Sequence, residues 1–263
     1  MKELSPEQIQ KNWQQLRSLI TNTFEGERLE RLNKMYDHFE DRMCVAPASG
    51  KEHFHNAHVG GYVEHVLHVV DCALKITNLW QSEGATIDFT TEEVIFAALH
   101  HDLGKVGDMD KDYYVPQESE WHRKNRGEIF THNSELQYMT VTDRAVFLLN
   151  QFGISMTETE YIGLRLTDGL YEEANKKYYI NYGKGNSLKS NIAYILHQAD
   201  SMATHIEYDE WNRSQTEEKE ATIQRVSSLK KSLTVDDGEK KPQQSEQLSK
   251  KSQDLFEELF GDK

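Results

Sequence analysis

The chain predicts an all-α fold, a helical bundle with a charged C-terminal tail. Three observations carry that reading. Apolar residues recur at helical spacing, as in Val59, Val63, Val66 and Val70. Helix-starting signals stand ahead of such stretches, among them Ser5-Pro6-Glu7-Gln8 and the Thr90-Thr91 pair. The last part of the chain changes composition to Ser, Gln, Lys and Glu with few large apolar residues.

Taken in order, Ser5 caps a first helix, with Pro6 at its first position and Gln8 completing a capping box. A second helical stretch covers about 25–43. Residues 45–56 hold Pro47 and Gly50 and read as a loop. A long helix follows over about 58–80, where Tyr62, Val69 and Ile76 widen the valine stripe. Thr90 or Thr91 caps the next helix, which runs through Val94–Asp102. Residues 104–140, rich in Gly, Asp and Tyr, read as irregular. Helices are expected near 141–152 and 157–166, a loop or small hairpin over 169–187, and a last core helix over about 188–208. No internal repeat is visible. The expected organisation is N-terminal helices over 1–49 packing on a core domain of 50–210, then a mobile or weakly helical tail over 211–263.

The 263 residues suffice for one large domain plus a tail. No apolar run approaches the ~20 residues of a membrane span. The opening MKELSPEQIQ lacks the order of a signal peptide, so a cytoplasmic location is expected. Cys44 and Cys72 are isolated thiols, which argues against a disulfide scaffold or a zinc finger. The formal net charge is -14. Residues 214–263 carry 11 acidic and 9 basic side chains, a net of -2, so -12 belongs to the body. Such a surface repels polyanions and counts against non-specific nucleic-acid binding, though not against a small nucleotide. The 12 histidines include groups within 53–68, at 100–101 and within 197–205.

The His101-Asp102 pair is the centre of the functional reading. Val94 and Ile95 lie seven residues earlier, so both side chains continue inward faces of their helix. A carboxylate ending an apolar face is costly unless paired or metal-bound. His65 sits between Tyr62 and Val69 on the long helix. Asp200 follows Leu196 by four residues and Ala193 by seven. Three separate helices thus send a ligand inward. Two imidazoles with two carboxylates suit Mn, Fe, Co, Ni or Zn as divalent ions, with Mg also in the set, and suit Ca less.

The ordered set His65, His101-Asp102, Asp200 resembles the HD superfamily of metal-dependent phosphohydrolases. His58-Val59-Gly60-Gly61-Tyr62-Val63-Glu64-His65 is similar to the segment carrying the first ligand in one branch. Leu99-His100-His101-Asp102-Leu103-Gly104-Lys105 resembles the HDLGK signature, and His197-Gln198-Ala199-Asp200 the late Ala-Asp segment. The resemblance spans about residues 50–208. It implies an HD-type helical bundle hydrolysing phosphate esters or anhydrides, with His65, His101, Asp102 and Asp200 holding a divalent metal. Asp102 and Lys105 would carry the chemistry, Lys105 stabilising charge on the phosphoryl group.

Around this core, His100 reads as structural, and His68, His197 and His205 as supporting or surface residues. His53, His55 and His58 precede the first ligand and are placed at a pocket rim. His122 and His132 are the candidates for a second metal, as dinuclear relatives add histidines in this interval. Thr167 stands where the resemblance leads one to expect another His, so one tightly held ion is favoured. Asp168 is either a ligand or substrate contact or a turn former before Gly169. Arg165 is a candidate substrate contact. Lys176, with Lys177 and Lys184, either closes over phosphates or lines a solvated loop.

In the tail, Leu255, Phe256, Leu259 and Phe260 form apolar pairs at helical spacing. They resemble short C-terminal peptides that dock on a sliding clamp, and the same turn packing on its own domain is the alternative. The expected function is hydrolysis of a small phosphorylated substrate, most simply a nucleotide. One alternative is an HD-type 3′-to-5′ exoribonuclease, against which stands the lack of a basic, aromatic-rich groove pattern. The other is a catalytically weak regulatory module acting through its C-terminal peptide.

Overall fold

The computed structural model describes residues 3–234 apart from 182 and 184. Lys184, Leu255, Phe256, Leu259 and Phe260 lie outside the described residues. The all-α expectation holds. Helix α1 is Pro6–Thr23, α2 Gly26–Val45, α3 Gly61–Ser82 and α4 Thr91–His100. A 3-10 turn, Leu103–Val106, follows α4. Next come β1 Tyr114–Pro116, α5 Glu120–Arg126, β2 Phe130–His132, α6 Val141–Gln151 and α7 Glu158–Arg165. Two further 3-10 turns lead to α8 Lys176–Tyr179, and α9 is Ile192–Thr234.

Local chemistry explains most of these starts. Ser5 Oγ accepts from Gln8 N, closing half of the expected capping box. The Gln8 side chain runs the other way and donates to Asn12. Thr90, not Thr91, caps α4, in a full capping box with Glu93. Thr157 and Glu160 form a second one on α7. Helix α3 begins later than the valine stripe suggests. Gly60 has φ +82°, which turns the chain just before the helix. Val59 is therefore off the helical period and 47% exposed.

The irregular stretch 104–140 contains a small antiparallel pair, with Tyr114 opposite His132 and Pro116 opposite Phe130. Helix α9 runs past the expected end at 208 to Thr234, so the described first part of the expected tail is helical. The body, Met1–Asn212, is one unit, and the chain from Arg213 on is a second.

In the body, α1, α2 and α3 pack on one another, α3 packs on α4, and α4 on α7. The turn Leu103–Val106 lies against α6. Leu16, Ile20, Leu32, Met35, Phe39, Val69, Phe96, Leu99, Leu148 and Leu196 are fully buried between these helices. Each such side chain contributes about 1.5–3 kcal/mol of burial free energy. Gly163 lets α7 approach closely, since a Cβ there would lie 2.8 Å from Leu196 and 3.2 Å from Ala97. No helix among the described residues is long and apolar enough to cross a membrane.

Candidate metal centre

Three elements bring the four expected ligands together. His65 lies one turn into α3, whose start is pinned by Gly61. A side chain at Gly61 would collide with the backbone carbonyl of Asn56. His101 caps the C-terminal end of α4, and Asp102 opens the following turn. That turn is held because Gly104 sits directly against the Val141 carbonyl, leaving no room for a Cβ. Asp200 lies on α9, two turns after its start.

His65 Nε2 is 3.3 Å from Asp200 Oδ1 and 3.7 Å from Asp102 Oδ2. His101 Nε2 is 3.5 Å from Asp102 Oδ2 and 3.8 Å from Asp200 Oδ1. Both Nε2 atoms are buried, and neither makes a hydrogen bond. Their tautomers follow from the opposite ring nitrogens. His101 Nδ1 donates to the Ala98 carbonyl at 2.7 Å. His65 Nδ1 donates to Glu207 at 3.0 Å. A neutral imidazole at either position would point its Nε2 lone pair at carboxylate oxygens, an arrangement that is repulsive without a cation between them. His65, His101 and Asp200 each place a ligand atom within 4.8 Å of the others. The donor set and the two unpartnered nitrogens fit a divalent ion.

Electrostatics point the same way. Burial alone would pull the His65 pKa down, but Glu207 and Asp200 outweigh it and raise it to about 10. Burial would raise Asp200, yet His65 and His101 hold its carboxyl well below the usual range. Asp102 is likewise lowered against its burial, chiefly by Lys105. The cluster demands positive charge at its centre, which a proton on His65 or a metal ion supplies. Lys105 Nζ sits 2.6 Å from Asp102 Oδ2. Burial opposes its charge, but Asp102 more than compensates and keeps it an ammonium.

Lys105 also lines a cavity of about 220 Å³ with Arg42, Tyr113, Tyr114, Pro116 and Phe130. Asp168 stands exposed beside the centre and accepts from Thr142 Oγ1 at 3.3 Å. Desolvation on its inner side, then the negative charges of Asp102 and Asp200, raise its carboxyl above the ordinary value.

Other sequence candidates lie elsewhere. Arg165 donates to Asn175 Oδ1 at 2.9 Å and faces Asp143, so its partners are structural. Lys176 pairs with Glu173 at the surface. His122 Nδ1 meets Ser119 Oγ at 2.8 Å, and the His132 ring packs against Tyr113 and Tyr114. Neither joins a metal-competent group among the described residues. Thr167 turns its hydroxyl back to the Gly163 and Leu164 carbonyls and offers no ligand. His100 is structural as expected, sitting between Phe96 O and the Tyr36 hydroxyl. His197 donates to the Thr167 carbonyl.

Two residues gain weight that the sequence did not assign. Glu207 is buried and takes both His65 Nδ1 and His68 Nδ1, the latter at 2.8 Å. Burial would raise its pKa, but His65 brings it down to about 2. Its sequence signal was its position seven residues after Asp200, on the same helix face. His55, placed only at a rim, packs its ring 4.5 Å from that of His65. Comparison with protein-family models, with curated proteins and with solved structures gave no match to this chain.

Proposed function

We propose that this chain is a metal-dependent phosphohydrolase of the HD type, acting on a small nucleotide or related compact phosphate. The observation that carries the reading is the convergence of two unpartnered, buried imidazole nitrogens on two carboxylates from separate elements. His65, His101, Asp102 and Asp200 hold the ion. Such an ion would lower the pKa of a bound water toward about 7 and polarise a phosphoryl oxygen. Lys105 fixes a positive charge beside Asp102, where it neutralises phosphate charge as well as the carboxylate. Glu207 keeps the His65 proton on Nδ1, which leaves Nε2 free for the ion. The neighbouring cavity, with Tyr113, Tyr114, Phe130 and Arg42 on its walls, has the size and lining for part of a compact organic phosphate.

The test is phosphate release from nucleoside mono-, di- and triphosphates with Mn²⁺, Mg²⁺, Co²⁺ or Ni²⁺, using Asp102→Ala as control. Metal-dependent turnover that the substitution abolishes is the expected result. Folded, metal-loaded protein that turns over none of these would end the nucleotide reading and direct the assay to RNA oligomers.

A further inference from the structure

We propose that His55 is a fifth protein ligand of that ion, so that three imidazoles and two carboxylates surround a single metal. The proposal rests on the metal-centre reading above and extends its ligand set. Two observations carry it. His55, His65 and Asp102 each place a ligand atom within 4.8 Å of the others, a grouping separate from that of His65, His101 and Asp200. The Nε2 of His55 is buried and has no partner. A buried ring nitrogen left unpaired carries its whole desolvation cost, so it calls for a ligand.

The two groupings share His65. Its Nδ1 is committed to Glu207, so only Nε2 is available, and one nitrogen lone pair serves one ion. The groupings therefore converge on one metal. Packing holds the His55 ring at 37° to the His65 ring, and the loop carrying it is anchored by the Asn56 carbonyl, which accepts from Ala48 N and His58 N. The approach of Gly61 to the Asn56 backbone ties that loop to the start of α3. Three nitrogen donors shift preference from Mg²⁺ toward Mn²⁺, Fe²⁺, Co²⁺, Ni²⁺ or Zn²⁺.

The experiment measures Co²⁺ binding to the full chain by calorimetry and by the visible absorption of the bound ion. Wild type, His55→Gln, His55→Ala and Asp102→Ala are compared, each checked by near-ultraviolet circular dichroism. One Co²⁺ per wild-type chain is expected. Both His55 variants should bind about tenfold or more weakly, with an altered absorption band. Wild-type affinity and absorption in the His55 variants, with binding lost in Asp102→Ala, would overturn the fifth ligand and leave the four-residue centre intact. Two ions per chain would overturn the single-ion arrangement. No Co²⁺ bound by folded wild-type protein would overturn this proposal together with the reading beneath it. The nitrogen hyperfine pattern of Cu²⁺ on the wild-type chain needs no variant: three coordinated imidazoles are expected, and two would overturn the proposal.

Discussion

His65 is tied by Glu207 at Nδ1 and faces the carboxylate pair with Nε2. Glu207→Gln preserves shape and an acceptor but removes the charge that favours a strongly donating imidazole. Metal affinity should fall about 10- to 100-fold while the fold persists, read by calorimetry. Unchanged affinity would mean that the charge of Glu207 does not reach the metal. His100 makes a different prediction. Burial lowers its pKa to about 3, against an ordinary value of about 6.5, so the unfolded chain takes up a proton that the folded chain refuses. Its contribution is complete above about pH 6.5 and is lost as pH falls toward 3, by on the order of 4 kcal/mol. His100→Gln retains an acceptor for Tyr36 and should flatten the decline of the urea midpoint between pH 6.5 and 4. The four candidate ligands were legible because each continues an apolar helical face. Glu207 was not, because it sits in the run Glu207-Tyr208-Asp209-Glu210, which reads as solvated surface. Its partner His65 is 142 positions away in the chain.

At the scale of elements, the helices followed from periodicity and caps, and the errors fall where those signals are weak. Strands of three residues are too short to show alternation, so β1 and β2 were invisible. The extension of α9 beyond 208 was legible only as one alternative, a weakly helical tail, because its later turns are polar. Tertiary ties between helices were also beyond the pattern. Arg28 on α2 donates to Glu160 on α7 at 2.6 Å and stacks 4.2 Å from the centre of the Phe96 ring on α4. Burial raises the Glu160 pKa even with Arg28 beside it. Arg28→Met would leave that carboxyl without its cation in the core. A loss of about 3–5 kcal/mol is expected, measured by chemical denaturation. A cost below about 1 kcal/mol would show that Glu160 takes up a proton, or another partner, at little expense.

For the whole molecule, the decisive property is the charge of -14, of which -12 sits outside residues 214–263. The proposed nucleotide substrate is itself an anion, so this field would oppose its approach, and the favourable charge would be local to the candidate metal centre and Lys105. Local contacts survive added salt better than long-range repulsion does, since the Debye length shrinks from about 30 Å at 0.01 M to about 10 Å at 0.1 M. For a nucleoside triphosphate, kcat/KM should therefore rise as NaCl is added over that range, and an excess of RNA oligomer should not inhibit. An enzyme that draws polyanions along a basic groove behaves in the opposite sense, losing affinity steeply with salt. A falling kcat/KM combined with inhibition by RNA would move the assignment from a nucleotide hydrolase to an exoribonuclease, with the same metal centre serving a longer substrate.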